Sequence, residues 1–376
     1  MSEKTLADVN HLNRLTDQAE NLVLNSIQGE PIIRLGLIAT LYFKHGDTAE
    51  IKSRVADCFS KFRKEFSPHL NWQFYKTLRK MSGSGFSSCR RKILESSPDQ
   101  QFMWSISSAR LQQVAQYRLF VMNIPRSQST TDRSCLKMVL PWSILLEPGG
   151  PQRYEAWLNY LCNQVHAEHG YGGLSCTLPY DGQRYFPQEY LLAKQYIGLI
   201  VDPLPHVESL RLLDHIKGVN WFTVLGRRFV NKLGGNDALR RQLSRRSDII
   251  FRAYDDGLII RAGALPSLGG PGEEAPAPYI EVNRAIKPIR VRATGCLHAY
   301  SLLGDTFSEA SSAAWHARFD EQPPAPLDAG ERCTHTGYWS SNATVRSRCL
   351  FTEGDIMPTY PHLKGRTQWF WLRESE

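Results

Sequence analysis

The sequence predicts an α+β protein, two-lobed, with mixed or antiparallel sheets flanked by helices and a small C-terminal β appendage. Three observations carry that expectation. Apolar patterns of strand and helix period follow one another as β-α-β-β-β-α-β before residue 178, an order that places helices on one sheet face. A hairpin signal, Asp256-Gly257, sits between two β-branched runs. A proline-rich stretch, QPPAPLDAGE at 322–331, sets off a tail containing Gly and Trp. The expected domains are 1–178, 179–321 and 322–376.

PIIRLGLIATLYF, 31–43, is aliphatic and β-branched and reads as a buried strand. A helix should start at Asp47 or Thr48, with Ile51, Val55, Cys58, Phe59 and Phe62 on one face. Residues 82–100, SGSGFSSCRRKILESSPDQ, read as a polar connection, followed by strands at 102–109, 116–125 and 135–145. Pro151 opens a helix with Tyr154, Trp157, Leu158, Leu161 and Val165 on one stripe and Gly170 as its stop.

Past Pro179, QEYLLAKQYIGLIV is a helix candidate, and HVESLRLLDHIKG is a helix or a linker. In GVNWFTVLGRRFVNKLGG, 218–235, Phe222, Leu225, Phe229 and Leu233 recur at helical spacing, with Arg227, Arg228 and Lys232 on the other sides. Gly234-Gly235 ends that helix, and Asn236 or Asp237 caps another, ALRRQLSRR. DIIFRAYDDGLIIRAGALP is a hairpin, SLGGPGEEAPAPY an exposed loop, YIEVNRAIKPIRV a strand and FSEASSAAWHARF a helix.

A chain of 376 residues exceeds what one core usually serves, and 42% hydrophobic with 22% charged residues fits a folded protein. No apolar run reaches the roughly 18 residues of a membrane span, and the polar N-terminus lacks the apolar centre of a signal peptide. A cytoplasmic location is the expectation. The eight cysteines are scattered singly without a CxxC pair, as in reduced, mostly buried thiols. The net charge of +8 is concentrated early: residues 1–150 hold 20 Lys and Arg against 13 Asp and Glu. KFRK at 61–64 and RRK at 90–92 contribute, and such patches hold phosphate or an acidic partner, or form an ordinary solvated face.

Catalytic signatures are sparse. Gly234-Gly235 follows a helix, has no GK[ST] and is not a GxGxxG, so it reads as a cap and not as a phosphate cradle. Cys162, His166 and His169 form C-x3-H-x2-H but lack a fourth ligand or a nearby base, so no metal and no cofactor is expected. There is no GxSxG elbow. Glu50-Ile51-Lys52 resembles a nuclease fragment, yet Glu50 reads as a carboxylate in the first turn of a helix. Asp255 and Asp256 fit turn chemistry or an anionic knob for a cationic partner. Trp339, Trp369 and Trp371 are either the core of a small β unit or contact residues. These features favour a binding protein over an enzyme.

The runs RLGLIATLYF, AWLNYL, YGGLSCTLPYDGQRYFPQEYLLAKQYIGLIVD, GVNWFTVLGRRFVNKLGG and IIRAGALPSLGG resemble the bacterial type VI immunity family associated with VRR-Nuc effectors. Trp221, Leu225, Gly226, Leu233, Gly234, Gly263, Ala264, Pro266 and Gly269 carry the resemblance, which spans roughly 30–320. The tail, with Gly337, Trp339, Gly354, Asp355, Met357, Pro358 and Trp369, is similar to appendages of other immunity proteins. The resemblance implies a cytoplasmic, non-catalytic protein that binds a nuclease toxin and blocks its active or substrate-binding surface. The cations of 217–232 would then face solvent. Nuclease inhibitors are often acidic whereas this chain is basic, so either the contact is a local patch such as Asp255, Asp256, Glu273 and Glu274, or inhibition does not imitate DNA, or the toxin is not a nuclease. A nucleic-acid-binding protein using the basic first third is the alternative function.

Overall fold

The apolar run at 31–43 becomes the axis of the sheet that organises the chain. The computed structural model describes residues 3–125, 133–180, 182–209, 212–291, 295–320, 325–334, 336–343, 348–360 and 366–372. Its elements begin with α1 (Glu3–Asn21), β1 (Leu24–Asn25), β2 (Pro31–Phe43), α2 (Ala49–Phe66), β3 (Trp72–Tyr75), β4 (Thr77–Lys80) and α3 (Gly83–Leu94). β5 (Phe102–Ser107), β6 (Arg118–Asn123), β7 (Ser134–Pro141), α4 (Gly150–Val165), β8 (His169–Thr177), α5 (Phe186–Gln195) and α6 (Pro205–Glu208) follow. Next come β9 (Phe222–Gly226), α7 (Arg227–Lys232), α8 (Asn236–Leu243), β10 (Ile249–Tyr254), β11 (Gly257–Ala262), α9 (Ala277–Ile286) and α10 (Glu309–His316). The tail holds β12 (Leu327–Asp328), β13 (Gly337–Ser341), β14 (Arg348–Phe351) and β15 (Gln368–Leu372).

The fold is α+β. The large sheet runs β10-β11-β9-β8-β2-β7-β6-β5-β3-β4, with β1 also on β2, and its ladders are antiparallel. It continues across residues 178–179, because β8 pairs with β9. By packing, the chain forms two compact units, Met1–Phe319 and Asp320–Glu376. The second contains a separate four-stranded sheet, β12-β15-β13-β14, around Trp339 and Trp369.

Side chains alternate across a strand, so each face of the large sheet has its own character. Leu37, Ala39, Leu41 and Phe43 of β2, with Leu136, Met138 and Leu140 of β7, enter the main core. Helices cover this face: Phe59 of α2 stacks on Trp104 of β5 at 3.8 Å, and the Tyr154 hydroxyl of α4 donates to the Ile38 carbonyl at 2.5 Å. The intervening residues Ile38, Tyr42, Phe120, Cys135, Val139 and Tyr171 form a second cluster with Ile200, Leu212 and Val291. That second face is roofed by irregular chain rather than by long helices.

Four local expectations are corrected. Residues 83–94 are helical, because Ser82 caps the turn by accepting from Gly85 N–H and Phe86, Cys89 and Ile93 supply a buried stripe. Phe222–Gly226 is a strand held between β8 and β11, and only Arg227–Lys232 is helical; ladder bonds on both sides outweigh the helical spacing of its apolar residues. Ala277–Ile286 is a helix, with Tyr279, Val282 and Ile286 buried at spacings of three and four. Gly170 lies within β8, not at a helix end: α4 closes at His166, whose left-handed backbone ends the turn. A Cβ at Gly170 would meet the Thr40 carbonyl oxygen at 2.4 Å, so close strand approach accounts for this glycine.

Candidate functional site

The four acidic residues expected at a contact fall on the two loops that flank β11 in sequence. Asp255-Asp256 forms the two-residue turn between β10 and β11, and Glu273 and Glu274 sit in the loop beyond the far end of β11. The Asp256 carboxylate bonds His166 Nδ1 at 2.5 Å, and Glu273 accepts from Gly270 N–H at 2.9 Å. Asp255 and Glu274 are exposed.

Cys162, His166 and His169 are engaged separately. Cys162 is in the core, His166 contacts Asp256, and His169 stacks on Tyr42 at 4.8 Å. Burial pushes His169 down to about 3, leaving the imidazole neutral at pH 7. Among the described residues no three His, Cys, Asp or Glu side chains are grouped to hold a metal ion. Glu50 pairs with Arg54 at 2.9 Å in the first turn of α2.

Chemistry concentrates instead on the second face of the sheet. Phe120 of β6 stands opposite Lys137 of β7, and Arg118 stands opposite Val139. Lys137 Nζ reaches the Asp202 carboxylate at 3.0 Å and the Asp202 carbonyl at 2.5 Å. Thr40 donates to the same carboxylate at 2.6 Å and Tyr171 at 2.8 Å. Next to it, Lys217 Nζ donates to both Glu208 oxygens at 2.8 and 2.6 Å and to the Val201 carbonyl, and lies 3.8 Å from Asp202. Lys217 is therefore buried, which corrects the expectation of a solvent-facing cation. Arg227 and Lys232 are exposed, while Arg228 pairs with Asp214.

Burial raises the Asp202 carboxyl, but Lys137, Lys217 and the Thr40 hydroxyl outweigh it and hold the pKa below the usual carboxylate value. For Glu208 burial wins: desolvation, then the Asp202 charge, outweigh Lys217 and leave it raised. A buried charge persists only when paired and hydrogen-bonded. Through Asp202, Glu208 and Lys217 this network accordingly fastens the roof to β2, β7 and β8.

Beside the network opens a cavity of about 420 Å³. Arg118, Lys137, Thr177, Tyr180, Gln183 and His206 supply polar groups, and Phe120, Val139 and Phe186 supply apolar wall. Arg118 Nε donates to Ser105 Oγ at 3.1 Å, and its guanidinium lies 5.2 Å from the Phe120 ring and 5.3 Å from the Tyr180 ring. Elsewhere, the two basic motifs of the first third converge: Arg63 of α2 and Arg90 and Arg91 of α3 line a groove of about 460 Å³. Sequence reasoning passed over Arg118, Lys137 and Asp202. The available signal was a charge in alternation with apolar residues inside a strand, as in CLKMVLP and YRLFVMN.

No helix among the described residues is long and apolar enough to cross a membrane. The family described as type VI immunity for VRR-NUC (TsiV) matches residues 54–319. Among solved structures, the Pseudomonas aeruginosa T6SS protein PA0821 superposes with a TM-score of 0.73 at 25% identity, covering 84% of this chain and 91% of that chain. No curated protein matches. The family match takes in β3 to β11 and α10, with Lys137, Tyr171, Asp202, Glu208 and Lys217 of the charged network, and the chain belongs to the TsiV family, type VI immunity for VRR-NUC.

Proposed function

We propose that this chain binds a cognate type VI effector toxin of the VRR-Nuc nuclease type and neutralises it by covering its active or substrate-binding surface. It acts in the cytoplasm as a binding protein, without catalysis and without a cofactor. The observation that carries this reading is the family match over residues 54–319. Asp255, Asp256, Glu273 and Glu274 are the acidic side chains we assign to the contact with a basic nuclease surface, and of these Asp255 and Glu274 are exposed. The alternative, direct nucleic-acid binding, rests on the groove of Arg63, Arg90 and Arg91. There Arg90 is paired with Asp57 at 3.1 Å and Arg63 lies over the Phe86 ring at 4.8 Å, which favours the immunity reading.

The test is co-expression with the effector encoded beside this gene. Rescue of growth together with a stoichiometric complex on gel filtration is the expected result. Growth arrest that persists despite soluble, folded protein refutes the reading, and salt-sensitive DNA binding in its place supports the alternative.

A further inference from the structure

We propose that the cavity on the second sheet face is a binding site for a carboxylate carried on a small apolar body, with Arg118 as the residue that receives it. The cavity volume of about 420 Å³ lies in the range of small-ligand sites. Among the described residues no carboxylate pairs with Arg118, and its only protein acceptor is Ser105 Oγ, taken by Nε. Both Nη groups are left for a ligand. Asp202 lines the same cavity but is saturated by Lys137, Thr40 and Tyr171 and offers Arg118 no compensation.

The charge balance selects the ligand class. Lys137 is neutralised by Asp202, and burial lowers His206 below its ordinary value, so among the described lining residues Arg118 supplies the uncompensated charge. One guanidinium matches a monoanion, and its planar fork fits a carboxylate through two parallel hydrogen bonds. A phosphate dianion would bring a second negative charge against Asp202 without a second cation to meet it. Phe120, Val139 and Phe186 provide an apolar wall for the body of the ligand. Burial lowers Arg118 to about 10, which leaves it charged at pH 7.

Such a carboxylate comes either from a free small molecule or from a side chain or C-terminus of the effector; the second source rests on the proposed immunity function. Benzoate and its neutral isostere benzamide are titrated into the full-length protein by saturation-transfer NMR and calorimetry, with inorganic phosphate as the competing anion. Saturable benzoate binding without benzamide binding, weakened at least tenfold by Arg118→Gln and partly regained in Arg118→Lys, supports the free source. The benzoate–benzamide contrast uses the wild-type protein and stands even if a variant fails to fold. If benzoate is silent, a tenfold or greater loss of effector affinity in a folded Arg118→Gln protein identifies the partner's carboxylate.

Equal binding of benzamide, or tighter binding of phosphate, overturns the proposal. With benzoate silent, effector affinity unchanged by Arg118→Gln, or no effector binding at all, also overturns it. An effector that ignores the wild-type protein while benzoate binds refutes the immunity reading alone.

Discussion

Replacing Lys217 by Met tests whether the buried ion network fastens the roof to the sheet. The Lys217 side chain is 4% exposed, Glu208 10% and Asp202 0%, so solvent screens the interaction little. Methionine keeps the apolar stem but removes the ammonium that bonds both Glu208 oxygens at 2.8 and 2.6 Å. Removing one member of such a pair costs about 3–5 kcal/mol, since the remaining charge stays buried and uncompensated. The cost depends on pH with a defined sign. Glu208 already titrates above its ordinary value, from burial first and the Asp202 charge next, and losing Lys217 raises it further. A raised carboxyl contributes stability that is complete below its unfolded pKa, about 4.3, and is lost as pH rises through the folded pKa. Asp202, held below its ordinary value against its own burial by Lys137 and Lys217, contributes stability that is present above its unfolded pKa. Loss of Lys217 reduces that contribution, so both groups make the variant's deficit larger at pH 8 than at pH 5. Guanidinium unfolding followed by circular dichroism and tryptophan fluorescence at both pH values, with slopes compared, measures it. A deficit under about 1 kcal/mol at pH 8, well below the expected range, or one that grows toward acid, refutes the reasoning.

Trp104→Ala removes the ring stacked on Phe59 and should cost about 3–5 kcal/mol in the same assay; a smaller loss would mean that α2 repacks. At Gly226 a Cβ would lie 2.5 Å from the Glu168 carbonyl oxygen, so Gly226→Ala should destabilise by about 1–3 kcal/mol, and a neutral effect would refute that close approach. A chain ending at Phe319 should retain a cooperative thermal transition, because among the described residues the clusters of the large unit contain none beyond Phe319 and the tail has its own. Loss of cooperativity would show that the tail completes the larger core. Asp255→Lys should lower the effector association rate several-fold at low salt, as a rim charge does, measured by surface plasmon resonance; an unchanged rate would move the contact away from the β10–β11 turn.

Local rules were sufficient where one periodicity acted alone. The apolar run of β2, the Thr48 cap and stripe of α2, the stripe of α4 and the β10–β11 hairpin could all be read in one dimension. They failed where tertiary partners outweighed spacing. Phe222, Leu225, Phe229 and Leu233 have helical intervals, yet Phe222–Gly226 pairs with β8 and β11, since a flanked strand satisfies both edges of its backbone. Glycine and serine hid α3, whose stability comes from burying Phe86, Cys89 and Ile93 and not from propensity.

By itself the sequence determined the α+β class, the separate β tail, the family resemblance and the positions of most strands around β2. Only the tertiary structure decided which charges act together. Lys137, Asp202 and Lys217 meet across separations of 65 and 15 residues because β7 and the roofing segment close on the same face of the sheet. Likewise, only the structure leaves Arg118 beside a cavity with its neighbouring carboxylate already committed. Hydrophobic period is written along the chain, whereas charge pairing is set by distances through space after the sheet has formed.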